Sequence, residues 1–258
     1  MANAPQSAPA GYHPRLIKAA LALRQNALHE AEPLLKQHLR EDPFDVYAIR
    51  MLAELAGRIG RMRDAENLLR RALELAPGFT AARSNLALLL HRANRPEEAL
   101  GELEQVRSED PDDPGHATLH AAVAGRIGAF DEAIALYETI LARPNAPAPI
   151  WLSYGHTLKT VGRSDDGVAA YRQALALRPS FGEAWWSIAN LKNVKLDEHD
   201  RAAMLAALEQ GGISDEDRFH LHFALGKALD DARQGEAAFD HYLEANRLRR
   251  ACLPYDAA

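Results

Sequence analysis

Pro43, Pro77 and Pro111 are spaced 34 residues apart, and Pro179 follows two such steps later. Ala31, Ala65, Ala99 and Ala133 keep the same interval, as do Arg24, Arg58, Arg92 and Arg126. The tetrapeptide Gly-Arg-Ile-Gly occurs at 57–60 and again at 125–128, two intervals apart. Registers agreeing on one period in the range of 20–50 residues mark a repeat architecture, in which one supersecondary unit is stacked on its copies. A chain of this kind cannot be read as one or two ordinary globular domains.

Each unit reads as two helices. Across 46–79, Ile49, Leu52, Ala53 and Ala56 fall at helical spacing, a turn follows at Gly60-Arg61, and Ala65, Leu68, Leu69 and Ala72 mark a second amphipathic helix. The alanine column lets the two helices approach closely. The proline column stops the second helix, since proline cannot continue the backbone ladder. Pro96 instead opens a helix, where its missing N–H costs nothing. Composition agrees: 49 Ala and 36 Leu stand against 6 Val and 9 Ile, so helix formers dominate and strand formers are scarce.

This pattern resembles the tetratricopeptide repeat (TPR). The fifth unit carries it most fully, with Trp151, Tyr154-Gly155, Gly167, Tyr171, Ala174 and Pro179 in the family's order. The resemblance implies an all-α, right-handed superhelical TPR solenoid of about seven helix-turn-helix repeats. The units run 12–45, 46–79, 80–113, 114–147, 148–181, a divergent 182–218, and 219–252. A disordered lead at 1–11 precedes them and a tail at 253–258 follows. Pro33 requires its helix to begin near His29. Pro147 or Pro149 opens the fifth unit, and Ser214 is expected to cap a helix, with Asp217 three residues on.

In TPR arrays the first helix of each pair lines a groove that takes a peptide or partner segment. The matching positions are Tyr47, Arg50, Glu54 and Arg58 in the second unit, and Ser84, Asn85 and Arg92 in the third. Arg126 follows in the fourth, His156 and Lys159 in the fifth, and Trp186 and Asn190 in the sixth. The arginine column has two readings. It is a row of guanidinium forks for carboxylates or phosphates on a bound chain, or it complements the helix C-terminal dipole. Trp185 aligns with Trp151 and is read as core. Its neighbour Trp186 is read either as a binding anchor or as covered by the divergent helix.

Other chemistry finds little purchase. His116 and His120, and His220 and His222, are close in sequence, but no ligand set completes a metal site, and His120 stands in a packing column. Cys252 is the single cysteine. No phosphate loop, dinucleotide fingerprint or nucleophile elbow is present, so neither catalytic residues nor a cofactor is assigned. The net charge of −6 argues against nucleic acid, and no apolar run approaches the length of a membrane span. A cytoplasmic protein is expected, binding a protein or peptide and self-associating weakly through whatever apolar face a terminal helix leaves open.

Residues 183–250 carry a second resemblance. Trp185-Trp186-Ser187-Ile188-Ala189-Asn190, the stretch from Ser214 to Lys227, and Tyr242 to Arg250 are similar to the end of the TPR region in bacterial TPR-containing sulfotransferases. That resemblance implies an alternative: a substrate-recruiting region of an enzyme that uses the sulfate donor PAPS. The catalytic domain would begin near 253–258, so none of its catalytic or donor-binding residues can be placed here.

Overall fold

The computed structural model of the chain describes residues 13–109 and 113–252. The lead at 1–11, Pro111 and the tail at 253–258 lie outside the described residues. Fourteen helices and no strands are found among those described, so the all-α expectation holds. Two compact units divide within one helix, at Leu136 and Tyr137.

The first unit holds α1 (Pro14–Arg24), α2 (Leu28–Glu41), α3 (Val46–Arg58), α4 (Met62–Leu75), α5 (Thr80–Arg92), α6 (Pro96–Glu109), α7 (Pro114–Ile127) and the start of α8 (Phe130–Leu141). Its helices pair as α1 with α2, α3 with α4 and α5 with α6, and each second helix also packs on the next first helix. Ala31, Ala65, Ala99 and Ala133 are fully buried, as close helix packing demands. Helix α2 begins at Leu28, so Pro33 falls soon after the first turn, where few ladder bonds are lost.

The turn within a pair is made by one left-handed residue. Asn26, Gly60, Asn94, Gly128, Gly162 and Arg233 all have positive φ, in matching positions of six pairs. Glycine and asparagine enter this conformation at least cost.

The second unit holds the rest of α8, then α9 (Ala148–Thr160), α10 (Ser164–Leu177), α11 (Gly182–Ala189), α12 (Glu198–Glu209), α13 (Asp215–Asp231) and α14 (Gly235–Cys252). One core cluster runs through it, from Leu152 and Tyr171 to Trp185, Met204 and Leu225. Trp185 is buried as expected, its indole N–H donating to the Pro179 carbonyl at 2.9 Å.

Carboxylates hold the divergent repeat. Asp200 is buried, accepts two hydrogen bonds from Arg172 at 2.5 and 2.8 Å, and completes a capping box with Asp197. Burial pushes the Asp200 carboxyl up, but Arg172, the Asp197 N–H and the nearby His199 together bring it below its usual range. Ser214 caps α13, accepting from the Asp217 N–H at 3.0 Å. The unit boundary expected at 218 therefore falls inside α13. The Ser214 cap, where the sequence places one, and the acidic first turn start the helix at Asp215.

Candidate functional site

The groove residues expected in the first unit lie on its first helices, α3, α5 and α7. Between α3 and α5 is a groove of about 260 Å³ whose lining includes Glu54, Arg58, Asn85, Leu88 and Arg92. Four of the expected positions thus come together. Ala53, Gly57 and Leu89 form its apolar floor beside them. Arg50 lies outside this lining, half-buried, with Nη1 3.7 Å from Glu54. Tyr47 stands edge-on to Phe79, ring centroids 4.9 Å apart. Ser84 is committed to its own repeat and the next, donating to the Thr80 carbonyl at 2.9 Å and meeting His116 Nε2 at 2.8 Å.

Arg58 and Arg126 stand in the last turns of α3 and α7, where the dipole reading puts a basic residue, and each also reaches a neighbouring helix. Arg58 Nη1 donates to the carbonyl of Leu23 at 2.6 Å, and Arg126 Nη1 to that of His91 at 2.9 Å. Each reaches back 35 residues to the end of the preceding pair's first helix. There it satisfies a carbonyl that has lost its intrahelical partner and sits at the negative end of that helix. Arg58 also donates to Glu54 at 2.5 Å. Arg92 makes no such bond among the described residues and faces the groove. Arg58→Ala and Arg126→Ala are therefore expected to destabilise the chain by about 1–2 kcal/mol each, as lost hydrogen bonds from a charged donor. Arg92→Ala is expected to stay within about 0.5 kcal/mol of wild type. Urea denaturation of the three variants checks this, and equal losses for all three would remove the distinction.

In the second unit, His156 Nδ1 meets the Tyr171 hydroxyl at 3.0 Å, and its Nε2 lies 3.7 Å from Glu183. That imidazole holds the Glu183 carboxyl below its usual range, while burial pushes the Tyr171 hydroxyl up to about 12. Trp186 is half-buried against the core, its ring 5.3 Å from Phe223. Asn190 caps α11 and donates to the Trp186 carbonyl at 3.1 Å. Lys159 is exposed on α9.

The paired histidines have packing partners. His120 is buried with Nε2 3.1 Å from Glu132, and burial lowers its pKa. His222 faces His241, Nδ1 to Nδ1 at 2.9 Å. A set that sequence spacing did not single out is His38, Asp42 and Asp45, the one cluster with metal-ligand spacing among the described residues. Three of its four carboxylate oxygens accept hydrogen bonds from the protein. Asp45 accepts from the N–H groups of Tyr47 and Ala48 and from His38, and Asp42 accepts from Phe44 N–H. The signal was present: His38 stands in a column otherwise filled by buried Ala72, Val106, Ile140 and Ala174. No helix among the described residues is long and apolar enough to cross a membrane.

Comparison with known proteins agrees with this geometry. Tetratricopeptide-repeat family patterns match residues 58–123 and 152–203. A TPR repeat-containing protein of Bacillus subtilis, YpiA, is 22% identical over 148 residues, covering 57% of this chain and 35% of its own length. The chain thus spans about a third of that relative. Among solved structures, a tetratricopeptide repeat protein from Parabacteroides merdae superposes with a TM-score of 0.64 at 17% identity, over 94% of this chain and 93% of its own. YrrB, described as a TPR protein with an unusual peptide-binding site, gives 0.56 at 17% identity, over 67% and 90%. These likenesses carry the fold, and the family patterns carry the repeat: the chain is an all-α protein built of tetratricopeptide repeats.

Proposed function

We propose that the chain is an interaction scaffold that binds a peptide or protein segment along its first helices, with an acidic side chain seated between α3 and α5. The observation that carries this is the state of Arg92. Arg58 and Arg126 are spent on neighbouring helices, whereas Arg92 points an uncommitted guanidinium into a groove that also offers the Asn85 amide and an apolar floor. A carboxylate there would gain a charge-assisted hydrogen bond in a partly desolvated site. The peptide-binding site named for YrrB supports the class of ligand, not its identity.

The test is fluorescence anisotropy with labelled Glu-rich and Lys-rich peptides of equal length. The Glu-rich probe is expected to bind more tightly, and Arg92→Glu to weaken it about tenfold while flattening its salt dependence. Equal binding of both probes, or no response to Arg92→Glu, would overturn the acidic-ligand reading.

The alternative, a recruiting region of a PAPS-dependent sulfotransferase, rests on the 183–250 sequence resemblance alone. Several residues that carry it have packing duties: Trp185 fills the core, Ser214 caps α13, and Asp217 binds Arg178 and the Gly182 N–H.

A further inference from the structure

We infer that the chain stacks end to end on a second copy of itself, the exposed face of α1 packing on the α13–α14 pair of its neighbour. Ile17 and Leu21 are 51% and 50% exposed on α1. One repeat further on, the same positions are Met51 and Leu55, both buried against Leu16, Leu23 and Leu35 of the α1–α2 pair. In later repeats the Leu21 column reads Leu89, Val123 and Thr157, buried every time. The face left open on α1 is thus the one that a preceding repeat covers elsewhere.

A second apolar surface is open on α14. Phe239 and Leu243 are 65% and 60% exposed. Phe239 aligns with Ile134, which is buried, and Val168, which is half-buried. Beside it Tyr242 is half-buried, although Leu35, Leu69, Leu103 and Tyr171 in its column are buried.

Polar groups name the occupant. Within the chain, two of the stacked junctions are fastened by an arginine on a carbonyl of the preceding first helix, while Arg92, at the α3–α5 junction, makes no such bond among the described residues. Leu23 and His91 accept from a turn N–H, that of Asn26 or Asn94, and also from Arg58 or Arg126. Asp230 at the end of α13 accepts from the Arg233 N–H in the same way, and no arginine joins it among the described residues. That last turn carries Asp230 and Asp231 and no basic residue, so negative side chains crowd the negative end of the helix. Arg24, the first member of the column, is exposed and makes no bond among the described residues. Helix α1 therefore carries the arginine, and α13 the carbonyl and carboxylate, of the same kind of junction. A second copy supplies both with matched charge and matched apolar faces. Because the two surfaces differ, the contact is heterologous and can add copies in series.

The inference does not depend on the groove reading, since Arg92 takes no part. Sedimentation velocity of the full chain over a concentration series tests it. Association that rises with concentration is expected, and Leu21→Asp or Phe239→Asp should each weaken it by about tenfold or more. Both sites are exposed, so melting curves should be unchanged. An equimolar mixture of the two variants should form heterodimers that grow no further, because each retains one intact end. Arg24→Glu should weaken association, and Asp230→Arg in the same chain should restore it. A monomer at every concentration overturns the inference. So does self-association of the Phe239→Asp chain alone through α1, which would be a two-fold contact. A monomer whose melting temperature falls on Leu21→Asp also overturns it, because the chain's own residues would then cover the face.

Discussion

Replacing Gly182 by alanine is expected to destabilise the second unit by about 2–3 kcal/mol, the range for overpacking a tight contact. Gly182 opens α11 where it meets the start of α13. Its N–H donates to Asp217 Oδ1 at 3.0 Å, and Arg178 donates to the same oxygen at 2.8 Å. A Cβ on Gly182 would collide with the backbone carbonyl of Asp217, which cannot swing aside as a side-chain tip can. Relief requires α13 to move away from α11, and that motion breaks both hydrogen bonds at once. Gly226 would meet the ring of the half-buried Tyr242 instead, so alanine there should cost less than at Gly182. Gly101 is the internal control. It lies mid-way along α6 with open space around it, so Gly101→Ala should stabilise by about 0.5–1 kcal/mol through helix propensity. Trp151, Trp185 and Trp186 all lie in the second unit, so tryptophan fluorescence during urea unfolding reads the Gly182 effect directly. A Gly182→Ala midpoint at or above wild type would show that α13 tolerates the shift.

The same junction explains what could be read from sequence and what could not. Periodic features were legible because each is dictated locally and repeated: a small residue where helices touch, a proline where one stops, an apolar face at helical spacing. Helix α4 was readable from Ala65, Leu69 and Ala72 alone, and these are its buried residues. Features whose meaning lies in the next repeat were not legible. Arg58 looks like an ordinary basic residue near a helix end, and only the fold reveals that its partner is the Leu23 carbonyl 35 residues earlier. The helix-end position of that column was legible because it is local, whereas the bond to the preceding repeat was not. His38 failed for a related reason. Its partner Asp45 sits across a turn, and histidine pairs were sought by spacing along one helix. In the divergent sixth repeat the column logic lapses altogether. There Arg172 and Asp200, 28 residues apart, replace the missing alanine and aromatic contacts, and only three dimensions bring them together.

Buried imidazoles also set an expected response to acid. His91, His120, His220, His222 and His241 all have pKa values below the ordinary 6.5, in each case chiefly through burial. Nearby Arg126 and Arg92 add to the effect at His91, and His241 adds to it at His222. Around that last pair, Glu244 and Asp240 pull the other way, while Arg218 and Arg247 reinforce the shift. With folded values below the unfolded one, the unfolded chain binds more protons as pH falls. The stabilisation is thus fully present above about pH 6.5, the unfolded value, and is lost as pH drops from there through the folded values. The lowered carboxyls of Glu183 and Asp200 act in a separate window. Their contribution is present above their ordinary values of 4.5 and 3.8, and is lost only as pH falls below these. Two stages of acid weakening should therefore appear, the first before any carboxylate titrates. The first should show as a loss of stability between about pH 7.5 and 5.5, moderated by solvent screening of the half-exposed rings. The His222–His241 contact should contribute visibly. At 2.9 Å one Nδ1 carries the hydrogen and the other offers its lone pair, so protonating the acceptor nitrogen sets two N–H groups face to face and breaks the contact. Urea denaturation at a series of pH values measures the first stage, and His241→Asn should shallow its slope without touching the second. A stability curve flat from pH 7.5 to 5.5 would mean that these rings take up protons as readily in the fold as outside it.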